Sequence, residues 1–324
     1  VVESNMVGNS TSFNNLKTQL DKVTKSNGRV MLTGPAGCGK EIAARYIHAN
    51  SARASEPFVS VSSASIESEK MEEVLFGSEY NGLIKPGLLE KANGGFLFFD
   101  EVSDMPTGTQ SKILRVLVEQ AFTRVNGNNL VRVDLRVISS TNKNLISKIA
   151  SGDFREELYH RLNVVPIKVP SLENRREDIP ILANHFVKIL NNNEGLPLRT
   201  FSDGAITKLQ TMSWPGNIRQ LRNAVEQILI LGPNDKIIET SELPESKHSE
   251  KTNNGDSFFQ ENLISLSLRE AREVFEREYL MAQINRFGGN ISKTAIFVGM
   301  ERSALHRKMK TLSIVSENKL SKKD

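Results

Sequence analysis

The sequence predicts an α/β protein: a parallel sheet carrying a phosphate-binding loop, then a helical segment, then an all-α helix-turn-helix unit. Three observations carry that reading. Short β-type runs alternate with helix-like runs from residue 1 to about residue 168. Between one such strand and helix lies Gly34-Pro35-Ala36-Gly37-Cys38-Gly39-Lys40, a G-x-x-x-x-G-K stretch. The last sixty or so residues hold two short helical patterns around a glycine turn, with an excess of positive charge.

The strand candidates are residues 30–33, 58–61, 95–99, 136–139 and 164–169, with helices between them. Glu41 to His48 reads as the helix after the loop. From 179 to 231 the pattern turns helical: Ile181-Leu182, His185-Phe186 and Ile189-Leu190 recur at helical spacing, and Trp214-Pro215-Gly216 marks a turn before another helix. Residues 245–256 are polar and read as linker. Beyond it, 268–286 is a long amphipathic helix, Gly288-Gly289-Asn290 breaks it, 291–298 is a short helix with Ala295 inward, Gly299-Met300 turns, and 301–312 is a second short helix. The expected division is 1–170 for the nucleotide-binding α/β part, 171–244 for a helical lid, 245–262 for a linker and 263–324 for the helix-turn-helix unit.

The glycine loop carries the chemistry. Its backbone N–H groups can cradle a polyphosphate while Lys40 meets the outer phosphates. A G-x-x-x-x-G-K match alone arises by chance, but strand, glycine loop and helix together form the context that supports it. Phe96-Leu97-Phe98-Phe99 is a buried-strand run ending in Asp100 and Glu101, which puts two carboxylates at the sheet edge where α/β proteins bind nucleotides. The two motifs together imply binding and hydrolysis of ATP with Mg²⁺. Glu41 stands where the general motif has Ser or Thr, so Asp100 is the expected metal holder, largely through water.

Composition narrows the class. A hydrophobic content of 38% with 25% charged residues fits a soluble globular chain, and no apolar run reaches the length of a membrane span. No signal peptide is evident; the chain begins at Val1 and is read as a fragment of a longer protein. Cys38 is the only cysteine, which excludes internal disulfides and a cysteine zinc site and points to the cytoplasm. Residues 263–324 carry 12 Lys+Arg against 7 Asp+Glu, a net +5, while the remainder is 30 against 31. A basic end on a near-neutral body suits double-stranded DNA. Arg302, Ser303, His306 and Arg307 are the candidates for base edges and flanking phosphates, and Lys308 for a phosphate. The competing reading is a helical dimerisation module with ordinary surface charge.

Several long motifs in order resemble bacterial enhancer-binding regulators with an AAA+ ATPase core, the NtrC family. Besides the nucleotide motifs these are Leu75-Phe76-Gly77, Gly94-Gly95, Phe154-Arg155-Glu156-Glu157-Leu158-Tyr159-His160-Arg161-Leu162-Asn163, Arg175-Arg176-Glu177-Asp178-Ile179-Pro180 and Trp214-Pro215-Gly216-Asn217-Ile218-Arg219-Gln220-Leu221. The last unit is similar to that family's Fis-type helix-turn-helix. The resemblance implies that Lys40 neutralises phosphate charge, that Asp100 positions Mg²⁺ and that Glu101 polarises the attacking water. It further implies that Asn142 is the sensor beside the γ-phosphate, that Arg155 and Arg161 are fingers reaching a neighbouring subunit, that Arg219 is the lid sensor, and that Val7 and Gly8 line the adenine pocket. Fingers acting in trans imply self-association, as a dimer or a hexameric ring.

Three departures limit the carry-over. Ser78-Glu79-Tyr80-Asn81-Gly82-Leu83-Ile84-Lys85-Pro86 stands where sigma-54 activators carry the longer GAFTGA loop. Ser62 stands where the family has an Asn that restrains the catalytic Glu. Third, the sequence starts at the core, so a receiver domain is expected either to have been left off this fragment or to be replaced by other control. Shortened loops look most like the NtrX branch, whose members are two-component response regulators served by a sensor kinase. The expected function is therefore a DNA-binding transcription regulator acting on RNA polymerase without standard sigma-54 contact. The alternatives are an ATP-driven remodeller of the sigma-54 holoenzyme, and a scaffold that binds nucleotide without turnover.

Overall fold

The computed structural model describes residues 6–233, 237–244, 266–286, 290–312 and 314. The expected linker from 245 to 262 and the break at Gly288-Gly289 lie outside them. In chain order the strands are β1 (Val30–Thr33), β2 (Phe58–Ser62), β3 (Gly77–Tyr80), β4 (Leu83–Pro86), β5 (Phe96–Asp100), β6 (Ala121–Thr123), β7 (Leu130–Arg132), β8 (Arg136–Thr141) and β9 (Val165–Lys168). The helices are α1 (Thr11–Thr24), α2 (Lys40–Ala49), α3 (Ser68–Phe76), α4 (Leu88–Lys91), α5 (Thr107–Glu119), α6 (Leu145–Ala150), α7 (Glu156–Leu162), α8 (Ile179–Glu194), α9 (Asp203–Thr211), α10 (Asn217–Leu231), α11 (Leu268–Arg286), α12 (Ile291–Val298) and α13 (Arg302–Thr311).

All five expected strands join one sheet in the order β2-β5-β8-β1-β9, every neighbouring pair parallel. Residues alternate faithfully between its faces. Phe96, Phe98, Val30, Leu32, Ile138 and Ile167 share one core with α1 and α2. Leu97, Phe99, Met31, Val61 and Val137 point into a second core with α3, α5 and α7. Burial on both faces is why these strands read as unbroken apolar runs. Each buried Phe contributes about 1.5–3 kcal/mol.

The sheet order positions the site. Thr33 pairs with Thr141 and Ser62 with Asp100, so β1, β8, β5 and β2 end level with one another. The phosphate loop follows β1, Asn142 follows β8, and Glu101 follows β5, all at one sheet edge.

Two hairpins were not anticipated as such. β3 and β4 pair antiparallel around Asn81 (φ 50°) and Gly82 (φ 78°), the two-residue turn with both centres left-handed. This is the stretch standing in place of the GAFTGA loop. β6 and β7 form the second hairpin, and Val125 beyond β6 bonds to Gly77 and Glu79 of the first. Arg124 adds a bridge, donating to both oxygens of Glu90 at 2.9 and 2.7 Å.

Helices α8 and α10 pack against each other beyond the sheet. Residues 202–212, 239–241 and the described residues from 266 on fall in a second compact unit. Within it, α11 meets α12 and α12 meets α13 around Leu280, Ile284, Ala295, Leu305 and Met309. Asn290 caps α12 by accepting from Lys293 N, and Gly299 (φ 73°) ends it, as the glycine turn requires.

Candidate functional site

Gly37 (φ 74°) and Gly39 (φ 103°) bend the loop into backbone space that a side chain enters only with strain. At Gly37 a Cβ would also sit 2.2 Å from the Gly216 carbonyl. Gly39 is the N-cap of α2 and offers no side-chain cap, so the first-turn amides of that helix are left for an anion. Cys38 is buried, and burial pushes its thiol pKa up, which keeps it a neutral filler rather than a reactive thiolate. Glu41 turns to Arg45 at 2.7 Å and leaves the loop.

Lys40 is 6% exposed, and three groups hold its ammonium: Gly34 O at 2.9 Å, Pro35 O at 3.3 Å and Glu101 Oε1 at 2.9 Å. The other Glu101 oxygen accepts from Asn142 N at 2.9 Å. Glu101 itself is left-handed (φ 54°, ψ 57°), a strained state for a non-glycine residue costing about 1–3 kcal/mol. Its amide donates to Ser140 Oγ at 3.1 Å, and that hydroxyl donates to Asp100 Oδ1 at 2.6 Å. Ser62 pairs with Ser65 at 2.8 Å, so the restraint on Glu101 comes from Lys40 and the Asn142 amide instead.

The carboxylates fit a magnesium ion that arrives with phosphates. Among the described residues no group of three or more His, Cys, Asp or Glu could hold a metal. A lone carboxylate, Asp100, with only Oδ1 engaged, suits an ion that keeps most of its waters.

The strap before α1 lies on one side of the loop. A cavity of about 60 Å³ is lined by Val7, Phe13, Leu16, Ile42 and Ile218 among others. Val7 O accepts from Arg175 Nη2 at 2.7 Å, and a Cβ on Gly8 would meet Arg175, Phe13 and Asp178 all within 2.8 Å. Asp178 is fully buried and accepts from Asn9 N (2.7 Å), Ser10 N (2.8 Å), Ser10 Oγ (2.7 Å) and Arg175 Nε (2.8 Å). Burial alone would raise its pKa, but those donors and the Arg175 charge carry it below the usual range. The sequence reading quoted Arg175 and Asp178 within a motif without giving either a role.

Asn217 is the third residue of this kind. Buried and left-handed (φ 52°), it donates to Ala36 O at 2.9 Å and accepts from Leu172 N at 2.8 Å, tying the loop to the turn before α10. The neighbouring Arg219 N donates to Gly37 O at 3.3 Å while its side chain stays exposed. Arg155 and Arg161 flank and close α7, both exposed, and neither touches the phosphate loop of its own chain among the described contacts. Arg302, Ser303, His306 and Arg307 are exposed on α13, with Leu305 and Met309 turned into the core. Lys308 differs from them. Its ammonium is 2.7 Å from Glu276 of α11, so it staples two helices of the unit, and the sequence expectation of a phosphate contact there meets an existing partner.

Fold and loop geometry define a P-loop module of the AAA+ kind, with a helical lid and a separate helix-turn-helix unit. The comparisons agree segment by segment. Residues 6–168 match the family described as "Sigma-54 interaction domain", 173–258 match "AAA+ ATPase lid domain", and 271–312 match "Bacterial regulatory protein, Fis family". The nitrogen assimilation regulatory protein NtrX of Azorhizobium caulinodans is 52% identical over 95% of this chain and 69% of its own length. A putative NtrX-like response regulator of Rickettsia typhi is 46% identical over 96% of this chain and 67% of its own. The crystal structure of NtrX from Brucella abortus in complex with ATP matches with a TM-score of 0.70 and 52% identity, covering 95% of this chain and 69% of that one. The chain belongs to the NtrC family of AAA+ regulators, with NtrX proteins among its relatives.

Proposed function

We propose that this protein is a DNA-binding transcription regulator whose AAA+ core binds and hydrolyses ATP. The observation that carries the reading is Lys40 and Glu101 meeting beneath the glycine loop, in one chain with an exposed basic helix α13. The solved relative complexed with ATP supports it. On binding, the phosphates take the Lys40 ammonium from the loop carbonyls and from Glu101. Glu101, held on its other oxygen by the Asn142 amide, then accepts a proton from the attacking water. The water oxygen bonds to the γ-phosphorus as the bond to the bridging oxygen breaks, and ADP leaves with that electron pair. Asp100 would hold Mg²⁺, which would screen the phosphate charge when bound with ATP. Arg155 and Arg161, exposed on α7, stabilise the transferred phosphoryl of a neighbouring subunit, and Arg219 reports nucleotide state from the lid.

On the DNA side, Arg302, Ser303, His306 and Arg307 read the groove and its phosphates. Alanine at Arg302 and Arg307 together should abolish specific promoter footprints, and unchanged footprints would overturn the assignment of α13. Glu101→Gln should bind ATP and release no phosphate; turnover in that variant would remove Glu101 from the chemistry. The hairpin Gly77–Tyr80 with Leu83–Pro86 lacks a GAFTGA loop, so action on polymerase does not follow the standard sigma-54 route. The matched sigma-54 interaction family and three exposed apolar tips, Tyr80, Leu83 and Ile84, favour a second reading in which this hairpin still grips sigma-54. A stable complex with sigma-54 in the presence of ADP and a metal fluoride would decide for it.

A further inference from the structure

We infer that Ser140 is the positioning residue for the magnesium carboxylate, orienting Asp100 from β8 in a site whose phosphate loop offers no hydroxyl of its own. The inference rests on the nucleotide reading above and extends it to a residue with no assigned role. In the general loop motif a Ser or Thr follows the lysine, and its hydroxyl is a ligand of Mg²⁺ beside the strand carboxylate. Here that position is Glu41, exposed and paired with Arg45 at 2.7 Å, so the loop offers no hydroxyl there. The hydroxyl that does reach Asp100 comes from the adjacent strand: Ser140 Oγ donates to Oδ1 at 2.6 Å.

The same oxygen accepts from the Glu101 amide at 3.1 Å. Ser140 is fully buried, so its proton has no solvent competitor, and both of its partners are fixed. One side chain therefore does two things. It pins one oxygen of Asp100, which leaves Oδ2 as the oxygen free to face a hydrated ion. It also satisfies the amide of Glu101, whose left-handed backbone aims that side chain at Lys40 and Asn142. A hydroxyl is required for both roles, because a carboxylate can only accept and an amide N–H can only donate.

The test is the affinity of a non-hydrolysable ATP analogue, measured by calorimetry with Mg²⁺ and with EDTA, for wild type, Ser140→Ala and Ser140→Thr. Ser140→Ala should lose about tenfold of the affinity that Mg²⁺ adds, as expected for a lost hydrogen bond to a charged group, and keep the wild-type affinity in EDTA. Ser140→Thr keeps the hydroxyl and should restore the Mg²⁺ gain. An alanine variant with the full Mg²⁺ gain overturns the inference. So does one weakened equally with and without Mg²⁺, since that marks a purely structural residue. A wild type that binds no nucleotide in either condition overturns the nucleotide reading itself, and this inference with it.

Discussion

Removing the Asp178 carboxylate should destabilise the strap before α1, and restoring neutrality should recover part of the loss. Arg175 is 3% exposed and Asp178 is fully buried, with Nε and Oδ2 2.8 Å apart. Asp178→Ala leaves the guanidinium buried without its counter-charge, which costs about 3–5 kcal/mol. It also strips the acceptor from the Ser10 amide, about 1–3 kcal/mol more if that amide finds no water. Arg175→Met with Asp178→Ala removes the orphaned charge and keeps apolar volume over Phe13, where the guanidinium now sits 4.8 Å from the ring centroid. The double variant removes the orphaned-charge cost of about 3–5 kcal/mol but also gives up the Arg175 bond to Val7 O, about 1–3 kcal/mol, so it should be about 2 kcal/mol more stable than the single. Trp214 is the only tryptophan and is buried in the turn beside the loop, so its emission during urea unfolding reports this unit. An Asp178→Ala loss below about 1 kcal/mol, or a double variant less stable than the single, would refute the argument.

Three further outcomes follow from the same contacts. The folded Asp178 carboxyl titrates below an unfolded Asp near pH ~4, so its stabilisation is complete above that pH and lost as pH falls through the folded value; acid unfolding followed by Trp214 emission should show a limb that Asp178→Ala lacks. Asn217→Ala orphans the Leu172 amide and frees Ala36 O, so it should cost about 1–3 kcal/mol and weaken ATP binding, measured on the same variant by urea unfolding and calorimetry. Gly299→Ala meets no neighbour within 4 Å but keeps φ 73°, so it should lower stability of the C-terminal unit by about 1–2 kcal/mol in thermal unfolding and reduce DNA affinity.

What the sequence made legible was whatever sheet burial writes into consecutive residues. The five core strands announced themselves because both faces of Phe96–Asp100 and its neighbours are covered. The hairpins did not, since β4 is exposed throughout and alternates nothing. Asn81-Gly82 was the available signal, a pair that favours the left-handed two-residue turn. Asp100-Glu101, the glycine loop and Asn142 stood out as motifs, and the structure brings them together because each follows its own strand. Arg175 to Val7, and Asp178 to Asn9 and Ser10, were not, as these bonds close loops of nearly 170 residues that no local pattern encodes. Ser140 looks like any polar strand residue until β5 lies beside it. Lys308 belongs to a basic run, and only the packing of α11 against the other two helices shows that Glu276 takes its charge.

The site holds itself closed upon its own groups, and that decides how nucleotide can act. Lys40 is satisfied by two loop carbonyls and Glu101, so the phosphates compete with existing bonds rather than filling a bare cationic pocket. Only a ligand that displaces Glu101 from Lys40 frees the carboxylate to face water. A nucleotide without a γ-phosphate has less charge to offer there. The loop is also tied to the turn before α10 through Gly37 O, Ala36 O, Arg219 N and the Asn217 side chain. Any shift of the loop around phosphate must therefore move those bonds or break them. On the proposed reading, coupling from phosphate to lid would run through backbone carbonyls of the loop itself. For that reason its disruption by Asn217→Ala should uncouple lid response from binding more than it alters the phosphate contacts of Lys40.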